Sequence, residues 1–450
     1  MLLSVLSKIS DALWGMPMLI LFIGTGVYFT VRSGFLQFRA GRWLRMTVGN
    51  LSGQKRSSKH GSISPYQALC TSLAACMGTG NITGVATALR TGGPGAIFWM
   101  CVCAVFSMMT SFVETSLGIE YRIKDSKGHW SGGAMLYIEK GLGMKKTAKL
   151  YAVSLAAASF GIGSMTQVNS AALAVEDVFG VKPIIIGLIF CLLTAATVCG
   201  GIKRISGTAE KTVPVLSVIF IAASAAALFI CRENLAYAVK SIVTGAFGLD
   251  AAVGGVAGFS VRNAVRTGVS RGVFSNEAGL GSTSVIHSSA EVDSPEEQGM
   301  WGILEVFLDT VVMCSVTGLV ILTSGIFEKT QTDGSVLFAQ ALSVSLGKAG
   351  GFVTAVTLCL LSFASVTGWY FCGEKGVLYA FGKRGIIPYR IMYTASVIIG
   401  SVSSLRFVFS VSDILNAVMA VPNLFAIILL SGPLLRRIKS DKAGNTYKVK

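Results

Sequence analysis

The chain has 450 residues, of which 52% are apolar and only 13% are charged, and its mean hydropathy is +0.66. Soluble proteins carry about 25% charged residues because their surfaces need them, so this balance excludes a soluble enzyme, a disordered chain, a disulfide scaffold and a coiled coil. The net charge of +16 by itself suggests a polyanion such as nucleic acid or an anionic membrane surface, and its distribution along the chain decides between these and topology.

Apolar runs long enough to cross a bilayer, about 20 residues each, fall near 14–34, 65–89, 95–119, 150–175, 183–200, 213–231, 300–325, 352–379, 391–410 and 412–435. An eleventh, interrupted and less apolar, lies within 254–290. The pattern predicts an all-α polytopic membrane protein in the lipid bilayer, with many of the 52 glycines allowing close helix approach. The first run leads into Phe29-Thr30-Val31-Arg32 rather than a small-residue cleavage site, so it reads as a retained helix.

Five links hold 27 of the 38 basic residues, and an eleven-crossing chain puts all five on one side. They begin with Arg32, Arg39, Arg42, Arg45, Lys55, Arg56 and Lys59 and end with the tail Arg436, Arg437, Lys439, Lys442, Lys448 and Lys450. Lysine and arginine stay cytoplasmic during insertion, which predicts a cell-membrane protein with its N-terminus outside and its C-terminus inside. On this reading the charge is a record of topology, and no nucleic-acid partner is expected. The divisions predicted are an extra helix with a basic link over 1–64, one five-helix set over 65–232, a second over 233–435 and a basic tail over 436–450.

Catalytic signals are missing. There is no phosphate-binding loop, no nucleophile elbow, no metal-ligand spacing among the ten cysteines, and His60, His129 and His287 are scattered. The chain reads as a non-enzyme, with no obligate protein partner predicted.

The informative features are two interruptions about 200 residues apart. The second apolar run enters Met77-Gly78-Thr79-Gly80-Asn81-Ile82-Thr83-Gly84 before resuming, and the late interrupted run contains Ser275-Asn276-Glu277-Ala278-Gly279-Leu280-Gly281-Ser282. Glycine weakens helix by about 1 kcal/mol relative to alanine, and unwound backbone at membrane depth is tolerated only where it lines a cavity or is buried in protein. Broken helices in corresponding positions of two halves point to the binding site of a secondary transporter. Gly80 and Gly84 are also spaced for close helix packing. A half-helix N-terminus suits a carboxylate, and freed carbonyls near Ala75 and Gly78 suit a sodium ion.

The first interruption, Gly78 to Ala88 with Gly92-Gly93-Pro94-Gly95-Ala96-Ile97-Phe98-Trp99-Met100, resembles the alanine/glycine:cation symporter family. So do Ser159-Phe160-Gly161-Ile162-Gly163 with Gln167, Gly200-Gly201-Ile202-Lys203-Arg204-Ile205, Gly272 to Ser282, Trp301-Gly302 with Glu305-Val306-Phe307 and Asp309-Thr310, and Gly368-Trp369 with Gly373-Glu374. The resemblance runs from about Ala12 to Leu435. It implies a LeuT-like fold, with one extra helix before two inverted repeats of five, and sodium- or proton-coupled uptake of a small neutral amino acid such as alanine or glycine.

It also implies site residues. Gly78, Thr79, Gly80 and Asn81 would meet the substrate carboxylate, Ser164, Gln167, Phe274 and Asn276 would line the pocket, and Trp369 would limit its size. Sodium would lie among Ala75, Gly78, Leu361, Ala364 and Ser365. Here the chain departs from the family, which has two adjacent hydroxyl residues where this sequence reads Ala364-Ser365, with Ser362 and Thr367 nearby. Ala134 and Cys101 replace an expected proline and aromatic, changes of loop and packing.

The departure at Ala364 keeps a proton open as the coupling ion, with Glu114 or Asp309 as its carrier. Glu114, Glu305 and Asp309 are ionisable groups inside apolar spans, where such residues are costly and mark function or a satisfied structural role. Arg262, Arg266 and Arg271 could pair with these acids or lie at the outer surface. A channel or transporter-like sensor of the same fold is the alternative, disfavoured by the lack of a filter repeat or an output domain.

Overall fold

A computed structural model describes residues 2–50, 63–125, 128–197, 201–248 and 261–440. The basic residues at 55, 56, 59, 127, 442, 448 and 450, and the start of the interrupted run at 254–260, lie outside these. Almost everything described is helix. A 12-residue helix, Leu2–Leu13, and an 18-residue one, Met16–Ser33, meet at Gly15 and precede the first broken helix.

That helix begins with a reciprocal cap: Ser64 Oγ accepts from Gln67 N at 3.1 Å and Gln67 Oε1 from Ser64 N at 3.0 Å, with Pro65 in the first turn. It runs Pro65–Cys76, turns at residues 77–79, passes through one π-helical turn, Gly80–Gly84, and resumes as Val85–Gly92. The interruption is therefore narrower than Met77–Gly84, because the glycines after Thr79 still close wide helical turns. The second broken helix comprises Val261–Asn276 and Ser282–His287. Its linker is bent by three positive φ angles, Glu277 at 57°, Gly279 at 95° and Gly281 at 82°. A side chain tolerates that region poorly, which accounts for the glycines and singles out Glu277.

The two broken helices are also stitched together away from their interruptions. Ile63 N donates to Ser289 O at 3.2 Å and Glu291 N to Ile63 O at 2.9 Å, a single parallel bridge between the entry to one broken helix and the exit from the other.

Long helices surround this pair. Gly95–Glu120 packs on Pro295–Thr323 and Val261–Asn276 through small residues, with a Cβ at Gly299 or Gly302 falling within 3.0 Å of Ser116 or Ser111. Lys145–Phe179, kinked by a π turn at Gly161–Met165, lies against Lys348–Phe381, and Leu405–Ser440 closes the bundle. Among the described residues, eight helices are long and apolar enough to cross a membrane, and Pro183–Thr197 is a shorter apolar one. The two broken helices are interrupted and so fall outside that criterion. Exposed large apolar side chains such as Leu192, Phe229 and Ile387 stud the peripheral helices, as a lipid-facing surface requires.

Two expectations shift. The turn expected near residue 411 lies at Ser403-Ser404, between Ile386–Val402 and Leu405–Ser440, because two residues interrupt the apolar signal too briefly to be seen. The helix of the sixth apolar run starts at Gly201, so Lys203, Arg204 and Lys211, which the apolar pattern puts in the link before that run, are helical.

Gly95 marks one of the tightest crossings: a Cβ there would sit 2.4 Å from backbone C and O of Gly245, which no rotamer change relieves. Gly95→Ala is expected to cost about 1–3 kcal/mol. Its melting temperature in detergent should fall relative to Gly207→Ala, whose added Cβ meets nothing within 4 Å.

Candidate functional site

The interruptions meet at the centre of the bundle. Gly80 faces Ser275, with a Cβ only 2.8 Å from its Cα, so the first interruption touches the last turn before the second. Asp309, in the π-helical stretch Phe307–Cys314, joins them: it accepts from Asn81 Nδ2 at 2.9 Å and from Ser275 Oγ at 2.7 Å. Asn81 Nδ2 also reaches Asp309 O at 2.7 Å, while its Oδ1 accepts from Gly78 N at 3.2 Å. Both ends of Asn81 thus shape the interruption.

Of the expected pocket residues, Gln167 meets the first interruption and Asn276 and Trp369 meet the second, whereas Ser164 and Phe274 contact Ser396 and Phe409. Gln167 Oε1 accepts from Thr79 N at 3.3 Å, and its Nε2 donates to Ile162 O at 3.0 Å, so Gln167 carries a free amide of the first interruption. Ser164 shares a 2.7 Å hydrogen bond with Ser396 Oγ. Asn276 caps the linker through Ala278 N and donates to Thr310 Oγ1. Trp369 is packed on Gly163, where a Cβ would clash at 2.3 Å, and Phe274 lies against Phe409 with ring centroids 5.1 Å apart. Among the described residues, the buried Thr79 Oγ1 has no hydrogen-bond partner.

The proposed ion ligands flank the C-terminal end of Pro65–Cys76. Ser365 Oγ donates to Ala74 O at 2.7 Å, and Gly368 approaches Ala75, a Cβ there lying 3.1 Å from Ala75 Cβ. Gly78 faces both Gln167 Oε1 and Ser365 Oγ. Leu361 is buried and Ala364 half-buried on the same long helix. Of the two neighbouring hydroxyls, Thr367 is spent on Ala364 O at 2.8 Å, whereas Ser362 Oγ is buried and without a partner among the described residues. Ser362 lies one turn before Ser365 and shares its helix face.

Four buried acids, Glu114, Glu277, Glu305 and Asp309, hold the broken helices. Glu114 accepts from Gly279 N at 3.1 Å and from Asn423, which itself donates to Gly279 O and accepts from Tyr137. Glu305 receives Ser72 Oγ at 2.5 Å and His287 Nε2 at 2.9 Å, linking Pro65–Cys76 to Ser282–His287, and Gln298 steadies the far side of His287. Glu277, absent from the sequence-based candidates, accepts from Trp369 Nε1 at 2.8 Å and Ser282 Oγ at 2.7 Å. An ionisable residue in an otherwise uncharged interruption was the available signal. None of the arginines pairs with these acids. Arg271 forms a buried ion pair with Asp413, Arg266 pairs with Asp11, and Arg262 is exposed.

Paired broken helices, with carboxylates and amides closing their free ends, define a secondary transporter with a LeuT-like architecture. The fold of MhsT crystallised with L-phenylalanine superposes with a TM-score of 0.61 over 83% of this chain and 90% of that one, at 15% identity. A model of the sodium:alanine symporter family matches residues 1–447, and the chain belongs to that family of cation-coupled amino-acid symporters. It is 39% identical to the sodium/alanine symporter AgcS of Methanococcus maripaludis, covering 97% of this chain and 96% of that one. It is 38% identical to an uncharacterized transporter of Haemophilus influenzae, covering 97% and 95%.

Trp369→Phe removes the indole donor and leaves a buried oxygen of Glu277 unpaired, at a cost of about 1–3 kcal/mol. Its melting temperature should fall while the mature protein still reaches the membrane, and an unchanged melt would show that the Trp369–Glu277 bond does not hold the linker.

Proposed function

We propose that this chain takes up a small neutral amino acid, alanine or glycine in size, with sodium as the coupling ion. The observation that carries the reading is the convergence at Gly78: its open side faces Gln167 and Ser365, so the helix end that would hold a carboxylate adjoins the one that would hold a cation. Gly78, Thr79, Gly80 and Asn81 would receive the substrate carboxylate, Thr79 through a hydroxyl that nothing else uses. Ser164, Gln167, Phe274, Asn276 and Trp369 would wall the pocket, and the bulk of Trp369 against Gly163 supports a small side chain.

Ser365 and Ser362, with carbonyls near Ala75 and Gly78 and the backbone of Leu361 and Ala364, would surround the ion. A sodium ion is hard and takes oxygen ligands, which this set supplies without the hydroxyl missing at Ala364. Glu114 and Asp309 would instead carry a proton under proton coupling, but their hydrogen bonds tie them to the interruptions, which favours a structural role. The repeats would span 65–232 and 233–435, after the 1–64 extension and before the 436–450 tail. The basic links support an outside N-terminus and a cytoplasmic C-terminus.

Protein reconstituted in liposomes should take up labelled alanine when an inward sodium gradient is imposed. Uptake that survives replacement of sodium by choline would sink sodium coupling, and a proton gradient in the same vesicles would test the alternative. Asn81→Ala and Gly80→Leu should abolish uptake while the protein still inserts, and normal transport by both would overturn the site assignment. Ser362→Ala should raise the half-saturating sodium concentration about tenfold, equivalent to about 1.4 kcal/mol. An unchanged sodium dependence would remove Ser362 from the ion site.

A further inference from the structure

After Met16–Ser33 the chain reverses at Gly34 and Phe35, with φ angles of 68° and 61°, and forms one helical turn, Leu36–Phe38, and a short helix, Ala40–Met46. One side of this segment is fixed to the protein. Gln37 Nε2 donates to Thr30 Oγ1 at 2.8 Å, and Trp43 Nε1 donates to Gln37 O at 3.0 Å. The Trp43 ring lies 5.6 Å from that of Phe307, at the start of the stretch that carries Asp309. The other side holds two aromatic rings in the open. Phe35 is 53% and Phe38 63% exposed, with ring centroids 6.3 Å apart, and Leu44 and Val48 are exposed further along. Four arginines, Arg32, Arg39, Arg42 and Arg45, share the segment, and the sequence has no acidic residue between Asp11 and Glu114. Arg32, Arg39 and Arg45 are exposed and form no ion pair among the described residues.

Topology accounts for arginines at the end of a span, but not for aromatic rings exposed among them. Such rings are costly against water and favourable at the edge of a bilayer. We infer that residues 32–48 form a binding surface for an anionic phospholipid. Phe35 and Phe38 would sit among the acyl chains just below the headgroups, while Arg39 and Arg45 would meet the phosphate. Rings and arginines in one short segment match the two layers of a bilayer edge, and the lack of neighbouring acids in the sequence leaves the lipid as counter-charge. A zwitterionic lipid brings a cation of its own, so an all-basic segment favours a headgroup of net negative charge. A soluble polyanion would use the arginines and leave the rings in water. Because Trp43 joins this surface to Phe307, a bound lipid would brace the run of helix that carries Glu305 and Asp309.

The test places the full chain in liposomes with phosphatidylglycerol or phosphatidylcholine, each carrying a photoactivatable diazirine on the same acyl chain and present in equal amount. Labelled peptides are then quantified by mass spectrometry. Residues 32–48 should be labelled about thirtyfold more by phosphatidylglycerol, equivalent to about 2 kcal/mol for two arginines. Arg39→Gln with Arg45→Gln should abolish that preference. Lys383→Gln with Arg384→Gln, also exposed and equal in charge lost, should leave it unchanged. Equal labelling of the wild type by the two lipids, or none by either, would overturn the inference whether or not the variants insert. An equal fall in both double variants would overturn it by making net charge the cause. Loss of the preference on adding inorganic phosphate would overturn it by making the free anion, and not the lipid, the ligand.

Discussion

The constraint on which this structure depends is that a peptide group in the apolar centre of a bilayer must find a partner within the protein. A continuous helix meets it automatically, but an interrupted helix does not. Breaking two helices at the same depth frees amides and carbonyls that can serve a substrate and an ion, and leaves the protein to satisfy them in the meantime. The side chains that do so are those found around the interruptions. Gln167 covers an amide of Thr79, Asn81 an amide of Gly78, Ser365 a carbonyl of Ala74, and Glu114 with Asn423 both polar groups of Gly279. Each is a partner that a ligand could replace by a modest change of geometry.

The buried acids follow from the same constraint. An isolated charge in hydrocarbon is expensive, and each of the four acids at the broken helices accepts a hydrogen bond from another helix. Asp309 ties one interruption to the other, Glu305 ties Pro65–Cys76 to Ser282–His287, Glu114 ties the second interruption to the final helix, and Glu277 ties it to Trp369. This arrangement makes the broken pair one mechanical element. Movement of either half changes the hydrogen bonding of an acid shared with the other.

Much of this was legible in the sequence. Clusters such as Gly78-Thr79-Gly80-Asn81 and Gly279-Leu280-Gly281 announce backbone that leaves the helix, and the structure breaks at both. Boundaries were less visible where a turn is short: Ser403-Ser404 separates two helices without interrupting the apolar pattern. The role of Glu277 depends on a positive φ angle and on a partner 92 residues away, neither of which local composition encodes. Ser362 was one of two nearby hydroxyls, and only the hydrogen bond from Thr367 to its own helix distinguishes them. The arginines were undecidable for the same reason, since Asp413 and Asp11 lie far from them along the chain.

The parallel bridge at Ile63 has a kinetic consequence. It joins the entry of the first broken helix to the exit of the second by two backbone hydrogen bonds, each worth about 0.5–1.5 kcal/mol net. A fastening of a few times the thermal energy is intact most of the time, yet it breaks and reforms without a dedicated energy source.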